Sequence, residues 1–234
     1  MKKNTSLLVL VLFCFIISAK AQLPSLSKKE IKDGWVLLFD GKTFDGWQKA
    51  NGTAFTGEGW KIENGVMSVN PQGGHGSDIV TSKEFSDFEF SLDFQLEKGT
   101  NSGVKCFLIK NTSLGCEYQL IDDANHPDAK LGKDGNRRLA ALYDIMPPNT
   151  ADKTVKPLEE WNTMRIISKG KHVEHWLNGK KVLEYERGSE TFKNLVADSK
   201  FKKENGFAEA AKSPILLQDH GDVIHFRNIK IREI

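Results

Sequence analysis

Phe88-Glu89-Phe90-Ser91-Leu92-Asp93-Phe94-Gln95-Leu96 decides the fold class. Five apolar residues alternate with four polar ones without a break. A period of two belongs to a strand with one face on a core, because successive side chains point to opposite sides of a sheet. An amphipathic helix repeats its apolar residues every three or four positions and cannot carry this pattern. The same signal recurs on both sides. Residues 60–62 and 66–69 flank Asn64-Gly65, and 172–177 and 180–185 flank Asn178-Gly179. Asn-Gly is the two-residue link of tight hairpins, where both central residues take positive φ. Residues 35–39, 104–109, 117–121, 139–144, 163–168, 215–218 and 223–231 complete the predicted strands, and helix is expected only in small pieces such as 189–196. Short strands with turn residues between them predict an all-β, two-sheet antiparallel jelly-roll sandwich.

The chain begins Met1-Lys2-Lys3, is almost wholly apolar from Leu7 to Ile17, and continues Ser18-Ala19-Lys20-Ala21-Gln22. A short basic start, an apolar segment of about 7–15 residues and an A-x-A site define a cleavable secretory signal. A spanning helix needs about 20 apolar residues. Residues 1–21 are therefore expected to be a signal peptide cleaved after Ala21, the mature protein to be periplasmic or secreted, and 22–234 to form one β-sandwich domain preceded by a linker over 23–29. Cys14 lies inside the apolar segment, so no cysteine follows the cleavage site to carry a lipid. The chain has 33 Lys and Arg against 31 Asp and Glu; loss of Lys2, Lys3 and Lys20 with the leader leaves 30 against 31. A balanced surface without a Lys/Arg-rich run gives no electrostatic footprint for nucleic acid.

Cys106 and Cys116 remain after the leader, flanking a turn at 111–115. A turn centred near Thr112–Ser113 would set Cys116 opposite Ile109 and Cys106 opposite Gln119, with the sulfurs offset. A disulfide needs Cα atoms within about 7 Å, so that register favours two buried thiols over a bridge.

The densest polar cluster runs from Gly115 to His126. Glu117 and Gln119 share one face of a strand, and Asp122, Asp123 and His126 follow in a loop over 122–139 that is too long for a tight turn; long ordered loops are disproportionately functional. A second polar stretch, 146–160, is expected to cross the surface near it. The alternative is a solvated strand face without chemistry. His220, before Gly221 at a strand end, has the titration range of an acid or base near neutrality, although a lone turn histidine is ordinarily just surface. Arg227 fits a structural ion pair or an oxyanion contact. His172 and His175 are three apart, which on a strand puts them on opposite faces and argues against a His-Glu-x-x-His metal site. Trp176 suits stacking on a sugar ring or burial in the core. Asn101-Ser102-Gly103 reads as a turn or a site rim. No Gly-x-Ser-x-Gly elbow, phosphate loop or dinucleotide fingerprint is present in context. Glu117-x-Gln119 places an amide where a two-carboxylate glycosidase would carry its second carboxylate.

Taken in order, residues 34–47 (GWVLLFDGKTFDGW), Asn101-Ser102-Gly103, 117–123 (EYQLIDD), 174–179 (EHWLNG), 217–221 (LQDHG) and 226–229 (FRNI) resemble the 3-keto-disaccharide hydrolase family over essentially the whole mature chain. The resemblance implies a concanavalin-type or laminin-G-like jelly roll, exported by glycan-foraging bacteria. It also implies cleavage of glycosides already oxidised at C3 by a partner sugar dehydrogenase. A C3 ketone acidifies the C2 proton, so elimination of the C1 substituent followed by hydration gives net hydrolysis; this needs a base, donors for the enolate oxygen and an acid for the leaving group. In that scheme Glu117 and His220 are the acid/base candidates, with His126 in reserve. Lys105, Arg165 or Arg227 would stabilise enolate charge; Asn101, Gln119, Asp122, Asp123 and Gln218 would bind hydroxyls; and His175 and Trp176 join the substrate-binding group. No cofactor is assigned, and a divalent metal on His and carboxylate ligands is left open because no ligand spacing decides it. The rival expectation is a lectin-like module that binds glycans without cleaving them, since this fold hosts both functions.

Overall fold

The computed structural model describes residues 23–73 and 76–234. The expected signal peptide, 1–21, lies outside the described residues. Among the described residues no helix is long and apolar enough to cross a membrane.

Two antiparallel sheets face each other across one apolar core. The larger sheet carries the deciding segment as β6 (Phe88–Leu96), between β9 (Trp161–Lys169) and β13 (Ile224–Glu233). Outward from β9 lie β10 (His172–Leu177) and β11 (Lys180–Glu186). Beyond β13 lie β4 (Val66–Val69) and β3 (Trp60–Glu63), and β1 (Val36–Leu37) also pairs with β13. The smaller sheet has the order β2 (Trp47–Lys49), β5 (Ile79–Thr81), β12 (Leu216–Leu217), β7 (Asn101–Cys106), β8 (Cys116–Ile121).

The alternation of 88–96 is realised as read, with Phe88, Phe90, Leu92, Phe94 and Leu96 facing the core. Removing one of these phenyl rings would cost about 3–5 kcal/mol, because a close-packed interior collapses only partly into the hole. The other face is less solvated than its polarity suggests. Glu89 is only 3% exposed, since Arg165 and Arg232 from the two neighbouring strands close over its carboxylate. Both Asn-Gly hairpins form, with Asn64 and Asn178 at φ 52° and 48° and their glycines also at positive φ.

Several expectations are corrected. Residues 28–32 of the presumed linker and its border form a short helix, α1 (Lys28–Lys32), started by a reciprocal cap between Ser27 and Glu30. The piece of helix expected at 189–196 is α2 (Glu190–Ala197), capped by Ser189. The strand expected at 139–144 is replaced by a loop laid along β8, with an isolated bridge of Leu142 to Tyr118 and backbone bonds joining Ala140 and Ala141 to Gln119 and Tyr143 to Glu117. Positive φ at Ala140 and Asp144 breaks the extended run. In the β7–β8 hairpin Cys106 pairs directly with Cys116, not with Gln119. The chain at the apex takes positive φ at Phe107 and Asn111 and closes with an Ile109 N–H to Leu114 O bond, which shifts the register from the assumed centre. The cysteines are nevertheless free thiols. Burial pushes the Cys116 thiol up to about 12 and raises Cys106 as well, so neither is a ready nucleophile.

Candidate active site

Alternation sorts β7 and β8 into two faces. Ser102, Val104, Cys106, Tyr118 and Leu120 are buried, and the Tyr118 hydroxyl reaches across to Trp176 O in the opposite sheet. The other parity, Asn101, Gly103, Lys105, Glu117 and Gln119, looks outward. This outer face is also covered, so Lys105, Glu117 and Gln119 are themselves buried. The cover consists of Ser113–Gly115 from the hairpin apex, Tyr143, Lys200, Phe201 and His220, which together with the strands and Gln218 enclose a narrow pocket.

Glu117 is its centre. It is the cross-strand partner of Lys105, with Nζ 3.5 Å from Oε2. Burial raises its carboxyl above the ordinary range, against the pull of Lys105 and Lys200. Gly103 is what lets the carboxylate lie flat on the sheet. A Cβ at that position would stand 2.3 Å from Glu117 Oε1, so a glycine in a strand interior here marks a close approach. The Gln119 amide lies 3.1 Å from that of Asn101; turned over, its nitrogen would donate to Glu117 Oε1 at 3.1 Å and Ser102 O at 3.3 Å. Gln218 is bound into the ladder by its N–H to Gly103 O. Among the described residues its buried side-chain Oε1 has no hydrogen-bond partner, and a buried acceptor left so is a place for a ligand donor.

Lys200 enters from far along the chain. Asp144 accepts from the Lys200 backbone N–H at 2.7 Å and from Arg137 Nε at 2.5 Å, while Arg137 also reaches Asp128 at 2.8 Å. These bonds fasten the segment after α2 to the long loop. The Lys200 ammonium then lies 4.1 Å from the Tyr143 ring centroid, and burial lowers its pKa. An ammonium on an aromatic face at the mouth of a pocket that holds a buried carboxylate can stabilise negative charge that develops on a bound ligand. At the rim, the rings of His220 and His126 are 6.4 Å apart and perpendicular. His126 Nε2 is 3.8 Å from Asp222, whose carboxylate accepts from the Asn101 N–H.

A family profile described as a 3-keto-alpha-glucoside-1,2-lyase-like domain matches residues 34–232. The chain belongs to this family. A 3-keto-disaccharide hydrolase of Bacteroides thetaiotaomicron is 34% identical over 242 residues, spanning 91% of this chain and 82% of that protein. A crystal structure from Parabacteroides distasonis, provisionally assigned as a glycosyl hydrolase, superposes with a TM-score of 0.80 at 33% identity, covering 91% of this chain and 100% of the other. A second from the same organism gives 0.68 at 32% identity, over 86% and 99%. The lumenal domain of VIP36, solved bound to Ca2+ and Man3GlcNAc, gives 0.50 at 8% identity over 87% and 89%. That last likeness is one of fold.

Of the thirteen residues read from the sequence, the fold gathers Glu117, His220, Asn101, Lys105, Gln119 and Gln218 around one pocket, with His126 at its rim. The others are placed elsewhere. Asp122 organises its own loop, accepting from the N–H groups of Gly99, Ala124 and Asn125 and from the Asn125 amide. Asp123 accepts from Leu139 N–H and ties Lys153 of the 146–160 stretch to the long loop, so those two loops do meet. Arg165, Trp176 and Arg227 lie on the outer face of the larger sheet, on the far side of the core from the pocket. Arg165 stacks 4.3 Å over Trp176 and pairs with Glu89, and Arg227 stacks 4.1 Å over Trp161 beside Asp93. The grouping most suggestive of a metal among the described residues, His172, Glu174 and Glu184, is on that face too, with Lys181 bonded to both glutamates.

His175 is sealed between the sheets, against the rings of Tyr118 and Tyr185, with Nδ1 3.1 Å from Ala140 O. Burial holds its pKa down to about 4 from 6.5. A group whose folded pKa lies below its unfolded one stabilises the fold above the unfolded value, and that contribution is lost as pH falls toward the folded value. Unfolding in urea should therefore show about 1.5 kcal/mol less stability at pH 5 than at pH 6.5 from this residue, because the slope reaches about 1.4 kcal/mol per pH unit only once the unfolded imidazole is fully protonated. In His175→Gln that acid decline should flatten.

Proposed function

We propose that the protein cleaves glycosides whose sugar carries a C3 ketone, with Glu117 as the base. The observation that carries this reading is a buried carboxylate between two lysines on a pocket floor, in a chain of this family. Glu117 takes the C2 proton, and the electron pair moves into an enolate whose oxygen is stabilised by the ammonium groups of Lys105 and Lys200. The enolate then re-forms the ketone and expels the C1 substituent, which leaves as an alcohol after protonation from the His220–His126 rim. Water then adds across the resulting C1=C2 bond, its hydroxyl to C1 while Glu117 returns a proton to C2 and the rim histidine recovers the proton water gives up, so that the sum is glycoside plus water to free keto-sugar plus alcohol. Raising the Glu117 pKa makes its ionised form a better base, and the lysines keep that form populated. Asn101, Gln119 and the unpartnered Gln218 oxygen offer hydroxyl contacts.

The reaction that must come first is oxidation of a secondary alcohol at C3, the work of a sugar dehydrogenase. The leader-like 1–21 supports action outside the cytoplasm, in the periplasm or medium. In this scheme the two lysines occupy the role a divalent cation would take, so activity should survive dialysis against a chelator. The test is aglycone release from a 3-keto-glycoside and from its unoxidised parent. Release from the keto form alone is the expected result. Release from the parent alone would indicate ordinary glycosidase chemistry, and glycan binding with release from neither would indicate a lectin-like module.

A further inference from the structure

The catalytic pocket is narrow, 80 Å³, enough for the reacting edge of a ring but not for both halves of a glycoside. The departing half must lie against surface that adjoins it. Such a surface exists on the far side of Ser113, which walls the pocket and also lines a neighbouring hollow of 320 Å³. That volume is at the lower end of ligand clefts and suits one sugar-sized group.

The hollow is built on the first strands of the smaller sheet. Ala50 in its lining packs against a small apolar cluster of Val80, Leu108 and Leu216, and Ala50 N–H bonds to Asp78 O at 3.1 Å. Asp78 also accepts from Asp219 N–H at 2.9 Å, which links this wall to the strand end that carries His220. The charge of Asp78 is felt at Glu117, so the two cavities are close. Apart from Ala50 the lining is polar, with Lys49, Asn51, Ser77, Asp78 and the hairpin-apex residues 111–113, and no aromatic ring among the described residues. Thr112 is committed to the hairpin apex, donating to Ile109 O and accepting from Leu114 N–H. Among the described residues the Asn51 amide nitrogen, the Asn111 amide and the Ser113 hydroxyl have no such protein partner, so they are available to a ligand.

We infer that this hollow is the subsite for the departing half of the substrate, and that Asn51, Asn111 and Ser113 select a hydroxyl-bearing sugar there over an aromatic aglycone. Among the described residues a planar aryl group would find no stacking partner and only Ala50 and the stem of Lys49 as apolar surface, and it would strip water from amides that it cannot bond. A second sugar offers hydroxyl donors and acceptors to each of these groups. The inference rests on the proposed reaction and adds the place and chemistry of the leaving group.

The test compares kcat/KM on a 3-keto-disaccharide and on a 3-keto aryl glycoside for wild type, Asn51→Ala, Asn111→Gly and the double variant that combines them. Glycine is chosen at 111 because Asn111 has φ 60°, which glycine adopts freely. Both positions are exposed, and thermal melts will verify that the fold is kept. The expected result is a drop of about tenfold on the disaccharide in the double variant, from the loss of one or two hydrogen bonds, with the aryl substrate changed less than about twofold on the same scale. An equal loss on both substrates, or none on either, would overturn the subsite. Wild type that turns over neither substrate would remove the reaction itself and the subsite with it, a failure visible before any variant is made.

Discussion

Glu117→Gln is expected to lower kcat on a 3-keto-glycoside by about 10³-fold, within the range that a positioned general base contributes. The substitution keeps the shape of the side chain and removes only its ability to accept a proton, so KM should move much less than kcat. It also leaves the Lys105 ammonium, 3.5 Å from Glu117 and mostly buried, without its cross-strand counter-charge. A modest loss of thermal stability should accompany the loss of rate, and a stability unchanged within error would mean that Lys105 finds an equivalent partner in Lys200's surroundings. The pH profile of the wild type carries a further check. Only ionised Glu117 can act as base, so activity should rise with pH through its pKa, and that limb should sit above the ordinary carboxylate range because burial raises it. In Lys105→Met, with one opposing positive charge gone, the limb should move higher still. Retention of full activity in folded Glu117→Gln would remove this residue from the chemistry.

Gly103→Ala should lower the rate by about 10²-fold without touching an ionisable group. The added methyl would meet Glu117 Oε1 at 2.3 Å, Cγ at 2.8 Å and Cδ at 2.9 Å, distances that force the glutamate off its present rotamer. Misplacement of a catalytic group by about 1 Å can cost about 10²-fold in rate, and overpacking of this kind typically costs about 1–3 kcal/mol in stability. Kinetics and thermal melts on the same preparation separate the two effects. If Gly103→Ala folds and retains wild-type kcat, the carboxylate need not lie where the structure has it. The position is part of the Asn101-Ser102-Gly103 motif, which by sequence reads as a turn or a rim. In the folded protein it is the strand interior that admits the base.

The strands and hairpins were legible because their causes are local. Alternation at 88–96 and the two Asn-Gly links act within a few residues, and the structure follows them closely. The capping box at Ser27–Glu30 was equally local and was present to be read. The parts of the site that alternation governs were also legible, since Lys105, Glu117 and Gln119 share a face by parity alone. Lys200 and Tyr143 had no such signal. Lys200 stands 83 residues from Glu117 in the chain, and it reaches the pocket through the Asp128–Arg137–Asp144 network, whose members are ordinary polar loop residues until they meet.

Arg165, Trp176 and Arg227 mark the same boundary from the other side. Their motifs are as dense in polar and aromatic residues as the one around Glu117, yet they decorate the opposite sheet. From the sequence alone came the β-class of the fold, the hairpins, the family motifs and the sets of residues that share a face. The tertiary structure alone decided which of those faces is roofed by loops into a pocket and which is left as an ion-paired surface. The reason is physical: periodicity specifies the direction of a side chain relative to its own strand, whereas the neighbour it meets depends on how two sheets and their long connections pack.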